Sequence, residues 1–317
     1  MKAITLKENG GTENLVLAEI PRPVITAGEV LIKVRAISIN PVDAFVRQSV
    51  QGMQMFLKPA PDDKIIIPGW DVAGTVVEVG SGVTDLRSGD HVFGLINFAG
   101  HGRAYAEYVA APANQLALKP DTISFEEAAA ATLAALTAWQ ALVTHAKVKK
   151  GEKVIVYAAA GGVGHYAVQI AKKLGATVIA VTSSAHHQFV RSLGADVILD
   201  HTTQRIDDVV KDADVVLDAI AGDHILRSMD SLRPGGRLIS LLAFIEGDAA
   251  LKVKEKQIDA KRMTVVSNGD DMKQLARLLG EKAIRSHVSS VFPFTDLASA
   301  HKQIETRKTQ GKIVVTL

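Results

Sequence analysis

One segment constrains this chain more than any other: Val154-Ile-Val-Tyr-Ala-Ala-Ala-Gly161-Gly162-Val163-Gly164-His165-Tyr166-Ala167-Val168-Gln169-Ile170-Ala171. A short run of apolar, mostly β-branched residues meets a glycine-rich turn, and the turn opens a stretch with helical spacing. A strand, tight turn and helix in this order make the first half of a βαβ unit. Its glycines let the backbone approach a pyrophosphate, and the helix start offers unpaired N–H groups with a partial positive charge. Ala160, Gly161, Gly162, Val163 and Gly164 are the expected cradle. Ala159 stands where G-x-G-x-x-G has its first glycine, so on this segment alone a plain tight turn remains an alternative.

The residues around it fit that frame. Thr177 to Thr182, Asp196 to Leu199, Asp214 to Asp218 and Arg237 to Leu241 read as strands, and Met263 to Ser267 is expected as a sixth. The helix from Gly164 to Leu174 is closed by Gly175, and helical stretches separate most of the later strands. Such alternation implies a parallel sheet covered on both faces. Beyond it, helices are expected over Asp270 to Gly280 and Thr295 to Thr306, with a terminal strand at Lys312 to Thr316. The first 120 residues differ. Val/Ile-rich Glu29 to Ala36, Gly74 to Val79 and the turns Gly80-Ser-Gly and Ser88-Gly-Asp predict a β-rich domain. Ser124-Phe-Glu-Glu127 has capping-box spacing, and the uncharged, Ala-rich run Ala128 to Val143 after it reads as a buried helix.

Composition narrows the function. With 317 residues, 47% of them hydrophobic and 22% charged, the chain has room and apolar surface for two domains. A net charge of +2 is too balanced for a dedicated nucleic-acid binder. Ala128 to Val143 falls short of the roughly 20 apolar residues of a membrane span. Lys2 and Lys7 precede no apolar core, so neither signal peptide nor anchor is visible and the cytoplasm is expected. The absence of cysteine removes disulfides, thiolate nucleophiles and Cys-ligated zinc.

Eight motifs occur in order: Ser38-Ile-Asn-Pro-Val-Asp43, Gly69-Trp-Asp-Val-Ala-Gly74, Tyr105-Ala-Glu-Tyr108, Leu136-Thr-Ala-Trp139, the glycine segment, Leu193-Gly-Ala-Asp196, Pro234-Gly-Gly-Arg237 and Gly311-Lys-Ile-Val314. Together they resemble the zinc-independent quinone oxidoreductases of the medium-chain dehydrogenase/reductase superfamily, across nearly the whole chain. The resemblance implies an α/β protein in which both chain ends, 1–121 and 266–317, form a GroES-like β-rich substrate domain. A Rossmann domain with a doubly wound parallel sheet, 122–265, is inserted between them. Nicotinamide and substrate would share the cleft, and a homodimer is expected.

NAD-selective domains place an acid about 20 residues after the glycines, at the end of the second strand. Here no acid occurs from Thr177 to Val190, and Thr182, Ser183 and Ser184 are followed by His186, His187 and Arg191. That pattern favours NADPH, although Ser184 also suits an ordinary N-cap. Zinc-dependent relatives carry Cys and Gly-His-Glu as ligands; the aligned places here are Asn40 and Gly69-Trp70-Asp71, and neither Asn nor Trp is a plausible zinc ligand. Without a polarising metal, hydride transfer should go to an electrophile that is already activated, a quinone or an α,β-unsaturated carbonyl. Asn40 is a candidate oxyanion donor or, alternatively, a turn residue before Pro41. Phe45, where many relatives have Tyr, and Trp70 are candidate substrate walls. The resemblance adds Thr137 near the nicotinamide, Leu242, Ala243 and Phe244 along the cofactor and substrate, His201 near the 2′-phosphate, and Lys312 touching a cofactor phosphate or capping solvent. A weakly catalytic NADPH-binding partner and an enoyl-thioester reductase are the competing readings.

Overall fold

The computed structural model describes residues 1–60 and 63–317. Along the chain, β1 (Lys2–Leu6) and β2 (Leu15–Glu19) form an antiparallel hairpin. They are followed by β3 (Glu29–Ile39), β4 (Asp71–Val79), β5 (His91–Leu95), β6 (Tyr108–Pro112) and β7 (Leu116–Leu118). Next come β8 (Lys153–Tyr157), β9 (Thr177–Thr182), β10 (Val197–Asp200), β11 (Ala213–Asp218), β12 (Leu232–Ser240) and β13 (Asp259–Arg262), and last β14 (Val288–Pro293) and β15 (Lys312–Thr316). The chain divides into two compact units, Met1–Leu136 with Val265–Leu317, and Thr137–Thr264.

In the first unit, β3 is the spine. Its first half pairs with β6 and its second half with β15, while β4 runs along it through two register irregularities. Among the described residues the sheet order is β14-β15-β3-β4-β5-β7, so the C-terminal strand lies beside a strand from near the N-terminus. Val30, Ile32, Val34, Ile37 and Ile39 of β3 all enter one core with Val72, Val76, Ile313 and Val315. The first boundary falls later than the sequence suggested. Ser124–Leu136 stays with this unit, where the Leu133 N–H donates to Asp71 Oδ1 at 3.0 Å and Ser286 Oγ donates to the Glu127 carbonyl at 2.7 Å.

The second unit holds six parallel strands among the described residues, ordered β10-β9-β8-β11-β12-β13. Renumbered from its own first strand this is 3-2-1-4-5-6, the doubly wound order whose direction of growth reverses between β8 and β11. Ile155, Tyr157, Val181, Val216 and Leu238 bury their side chains in its core. The protein is therefore mixed α/β, with an antiparallel-rich sheet built from both ends of the chain and a parallel sheet from its middle.

Two local expectations are corrected. The sixth strand is Asp259–Arg262, not Met263 to Ser267: the apolar run looked more like a strand, but β13 is an edge strand, where charged residues face water. The Ala-rich helix is also interrupted. It runs Phe125–Ala130 under the capping box expected at Ser124, then restarts at Leu133–Trp139 and closes in a widened turn, Gln140–His145. The break sits where Thr132 Oγ1 bonds the Ala129 carbonyl and Leu133 gives its N–H to Asp71. Among the described residues no helix is long and apolar enough to cross a membrane.

Candidate active site

The glycine turn follows β8, at the strand ends where the parallel sheet reverses its order. Ala158 takes a left-handed φ of 51°, Ala159 donates to the Val181 carbonyl at 3.1 Å, and Gly161 closes the turn on the Ala158 carbonyl at 2.9 Å. The helix Gly164–Lys173 starts directly on this turn. A Cβ on Gly164 would stand 2.2 Å from the Ala158 oxygen and 2.7 Å from Ala159 Cα, so glycine alone permits the approach. At Gly161 a Cβ would meet only the Ala158 oxygen, at 3.2 Å. Gly161, Gly162 and Val163 are half-buried, and Val163 at the N-cap offers no side-chain acceptor. An anion-sized approach to a helix start without a competing side chain fits a dinucleotide pyrophosphate.

Beside the cradle, β9 ends at buried Thr182, followed by Ser183 and Ser184. The expectation that no acid stands here holds along β9 but not in space. Asp200 of β10 lies in register with Thr182. Its carboxylate accepts from the Thr202 hydroxyl at 2.6 Å and the Thr202 N–H at 2.8 Å, and also from the Ser184 N–H. These bonds, those from Thr202 first, hold it below the usual carboxylate range. His187 Nε2 is 3.9 Å away and His201 is exposed on the following turn. No scan of the residues after β9 finds Asp200, because it comes from the next strand over.

Further along the same strand ends, Leu242 and Phe244 are exposed and Ala243 is buried, its carbonyl accepting from Ser240 Oγ at 2.8 Å. The Arg262 guanidinium lies 4.2 Å over the Phe244 ring. Leu242, Ala243 and Phe244 line a cavity of about 420 Å³ together with Gly222 and Asp223. Thr137 is buried in the helix Leu133–Trp139.

The first unit gathers a second set. Asn40 follows β3 as the N-cap of the helix Pro41–Gln48, and its backbone N–H donates to Asp43 Oδ2 at 2.7 Å. Its Nδ2 donates to Asp71 Oδ2 at 2.7 Å, and its Oδ1 accepts from Lys312 Nζ. Lys312 also faces the Ile39 carbonyl at 3.3 Å. It is 3% exposed, so it does not cap solvent, a correction to that expectation for it. Burial pushes the Lys312 ammonium down and Asp71 up; it also lifts Asp43 to about 7, helped by the neighbouring Asp71 charge.

A chain of side chains continues inward from Asp43. Its Oδ1 has no hydrogen-bond partner among the described residues, and Tyr105 lies against the carboxyl. The left-handed Gly69 makes room for Tyr105, since a Cβ there would stand 2.2 Å from its ring. Tyr105 Oη is 3.0 Å from His301 Nε2, and Arg47 Nε donates to His301 Nδ1 at 3.3 Å. Arg47 pairs with Glu305 at the outer end. Arg is a donor only, so His301 accepts at Nδ1 and carries its proton on Nε2, leaving the Tyr105 O–H to turn toward Asp43.

Phe45 and Trp70, expected as joint walls, are ends of one aromatic row. Phe45 is exposed and lies 6.3 Å from Phe56; Phe56 stacks at 5.7 Å on Phe98, and Phe98 meets Trp70 edge-on at 5.2 Å. Trp70 is fully buried and donates Nε1 to the Gly100 carbonyl at 2.7 Å, so Phe56 and Phe98 are the missed members. They carried no sequence signal: Phe56 sits in the helical turn Met53–Leu57 and Phe98 in a loop, neither within a motif. The donor set at Asn40, Trp70 and Asp71 does not fit zinc: the amide oxygen belongs to Lys312, and an indole N–H only donates.

Two family models match, an alcohol dehydrogenase GroES-like domain over residues 26–121 and a zinc-binding dehydrogenase over 193–315. The chain is 36% identical to an NADPH-dependent alkenal/one oxidoreductase, chloroplastic, of Arabidopsis thaliana, over 99% of its own length and 79% of the relative's. A quinone oxidoreductase from Coxiella burnetii superposes with a TM-score of 0.91 at 32% identity, covering 100% of this chain and 99% of that one. A mycobacterial protein complexed with NADPH superposes at 0.87 with 30% identity, over all of both chains. Carried by the ordered motifs, the two sheets and these full-length matches, the conclusion is that the chain belongs to the quinone oxidoreductase-like family of the medium-chain dehydrogenase/reductase superfamily.

Proposed function

We propose that this protein is an NADPH-dependent oxidoreductase that reduces quinones or α,β-unsaturated carbonyls without a catalytic zinc. The observation that carries the metal-free reading is Asn40: where zinc-dependent relatives place a ligand, this chain has an amide tied to Lys312 and Asp71. NADPH, when bound, supplies the hydride. Ala160, Gly161, Gly162, Val163 and Gly164 hold its pyrophosphate; Thr182, Ser183, Ser184 and His201 receive the 2′-phosphate end, and Thr137, Leu242 and Ala243 the nicotinamide side. The unit made of both chain ends serves the substrate, with Phe45, Phe56 and Phe98 as its apolar contacts.

Asn40 has one N–H beyond the one hydrogen-bonded to Asp71, and it donates a hydrogen bond from it to the acceptor oxygen as charge gathers there, while the proton that completes the reduction comes from water. A conjugated acceptor spreads charge onto that oxygen, so one donor suffices where an isolated ketone would need a Lewis acid. The family resemblance also supports a homodimer.

The test is a substrate panel with a metal assay. The purified protein oxidises NADPH with 1,4-benzoquinone or an alkenal, fails with the matching saturated aldehyde, and keeps its activity after chelation. Stoichiometric zinc whose removal abolishes turnover, or saturated alcohols as the best substrates, would overturn the proposal.

A further inference from the structure

Lys312, Asn40 and Asp71 come from three neighbouring strands or strand ends, β15, β3 and β4, though they lie far apart in sequence. The antiparallel pairing of β15 with β3 sets Ile313 opposite Ile39, which brings the preceding Lys312 beside the residue after Ile39, Asn40. All three side chains are at least 97% buried. An Asn amide ordinarily has two orientations that exchange its oxygen and nitrogen, and here only one satisfies both neighbours. Lys312 Nζ faces the Ile39 carbonyl as well as Asn40, so it donates, and the amide atom before it must be the oxygen. Asp71 takes the Leu133 N–H on one carboxylate oxygen and Asn40 Nδ2 on the other, so it accepts. The flipped amide would set N–H against ammonium and oxygen against carboxylate.

Burying a lysine and an aspartate is a poor way to gain stability, because desolvation offsets most of their attraction. It is an effective way to hold a neutral group in one orientation. We infer that Lys312 and Asp71 are positioning residues for the reaction: they lock the Asn40 amide so that its remaining Nδ2–H points in a single fixed direction before the acceptor arrives. The inference rests on the proposed role of Asn40 as donor to the acceptor oxygen. A donor fixed in advance needs no reorganisation as charge develops, which is where such groups gain their effect.

A double-mutant cycle tests it, using kcat with an alkenal and NADPH affinity by fluorescence titration. Lys312→Gln and Asp71→Asn each place a group that can donate or accept, so the amide is free to flip. Asn40→Ala is expected to lower kcat about tenfold, and each clamp variant by a similar factor, with the NADPH dissociation constant changed by no more than about twofold. In the Asn40→Ala background neither clamp substitution should lower kcat further, because both act through Asn40. Multiplied losses in the double variants would overturn the positioning role. Wild-type kcat in Asn40→Ala would instead overturn the donor role on which it rests. A measurement on the wild type covers variants that fail to fold: the Asn40 Nδ2 protons, assigned through their correlations to the Asn40 backbone, should include one that exchanges slowly with solvent, bonded to Asp71. Fast exchange of both would mean the amide is not held and would overturn the inference.

Discussion

Tyr105 places its hydroxyl 3.0 Å from His301 Nε2 in full burial, linking a carboxyl that holds a proton to an imidazole that refuses one. Burial and the Asp71 charge raise Asp43 from 3.8 to about 7, while burial and the nearby Arg47 lower His301 from 6.5 to about 3. The stability contribution of Asp43 is complete below pH 3.8 and is lost as pH rises to about 7. That of His301 is complete above pH 6.5 and is lost as pH falls toward 3. Between about pH 4 and 6.5 the two slopes, each about 1.4 kcal/mol per pH unit, oppose one another. Asp43→Asn should expose the His301 slope, so that its melting temperature falls relative to wild type as pH drops through this window. His301→Gln should show the reverse, losing stability as pH rises toward 7. Melting curves for both variants that stay parallel to wild type from pH 4 to 7 would refute the opposition.

NADPH should bind more tightly than NADH, by roughly 10-fold to several hundred-fold for one or two hydrogen bonds to charged phosphate oxygens. Asp200 tempers this preference, because its charge stands beside Ser184 even though Thr202 and Ser184 occupy it. Asp200→Asn should raise NADPH affinity while leaving NADH nearly unchanged, and Ser184→Asp should weaken NADPH far more than NADH. Calorimetry at one salt concentration decides. A loss of NADH affinity in Asp200→Asn would mean that Asp200 receives the ribose hydroxyl and that the selectivity argument is wrong.

The glycines of the cradle should separate by role. Gly164→Ala forces a Cβ onto the Ala158 oxygen and should destabilise the second unit by about 1–3 kcal/mol of overpacking. Gly162→Glu should instead leave the fold intact and abolish NADPH binding, because its carboxylate would meet the pyrophosphate. Circular dichroism and cofactor titration on the pair check this; normal NADPH binding by folded Gly162→Glu would reduce the motif to a turn.

Phe98 bridges exposed Phe45 and half-buried Phe56 to buried Trp70. Replacing it with Ala should raise KM for an apolar acceptor about tenfold, with kcat and NADPH affinity largely kept, since aromatic contacts of this kind contribute about 0.5–1.5 kcal/mol beyond their buried area. An unchanged KM across quinones of increasing apolar size would remove the row from the substrate pocket.

The strand, glycine turn and helix at Val154 to Ala171 were legible in one dimension because their physics is local: β-branched residues, a turn that needs glycine, and helical spacing occur within a few residues of each other. The same holds for the Ser124 capping box and for the terminal strand Lys312–Thr316, found at its expected bounds. Asn40, Asp43, Trp70, Asp71, Tyr105 and Lys312 were visible as members of separate motifs, but nothing local said that they meet. Strand order decided that. Laying β15 beside β3 and β4 buried Lys312 against Asn40 and Asp71, and pairing β10 with β9 carried Asp200 to the end of Thr182. Edge position made a strand of charged Asp259–Arg262 rather than of the apolar run after it. Sequence alone thus determined the elements and the chemical types at the site. Which charges are buried, and which partners they answer to, depended on contacts between residues far apart along the chain, and those exist only once the sheets are formed.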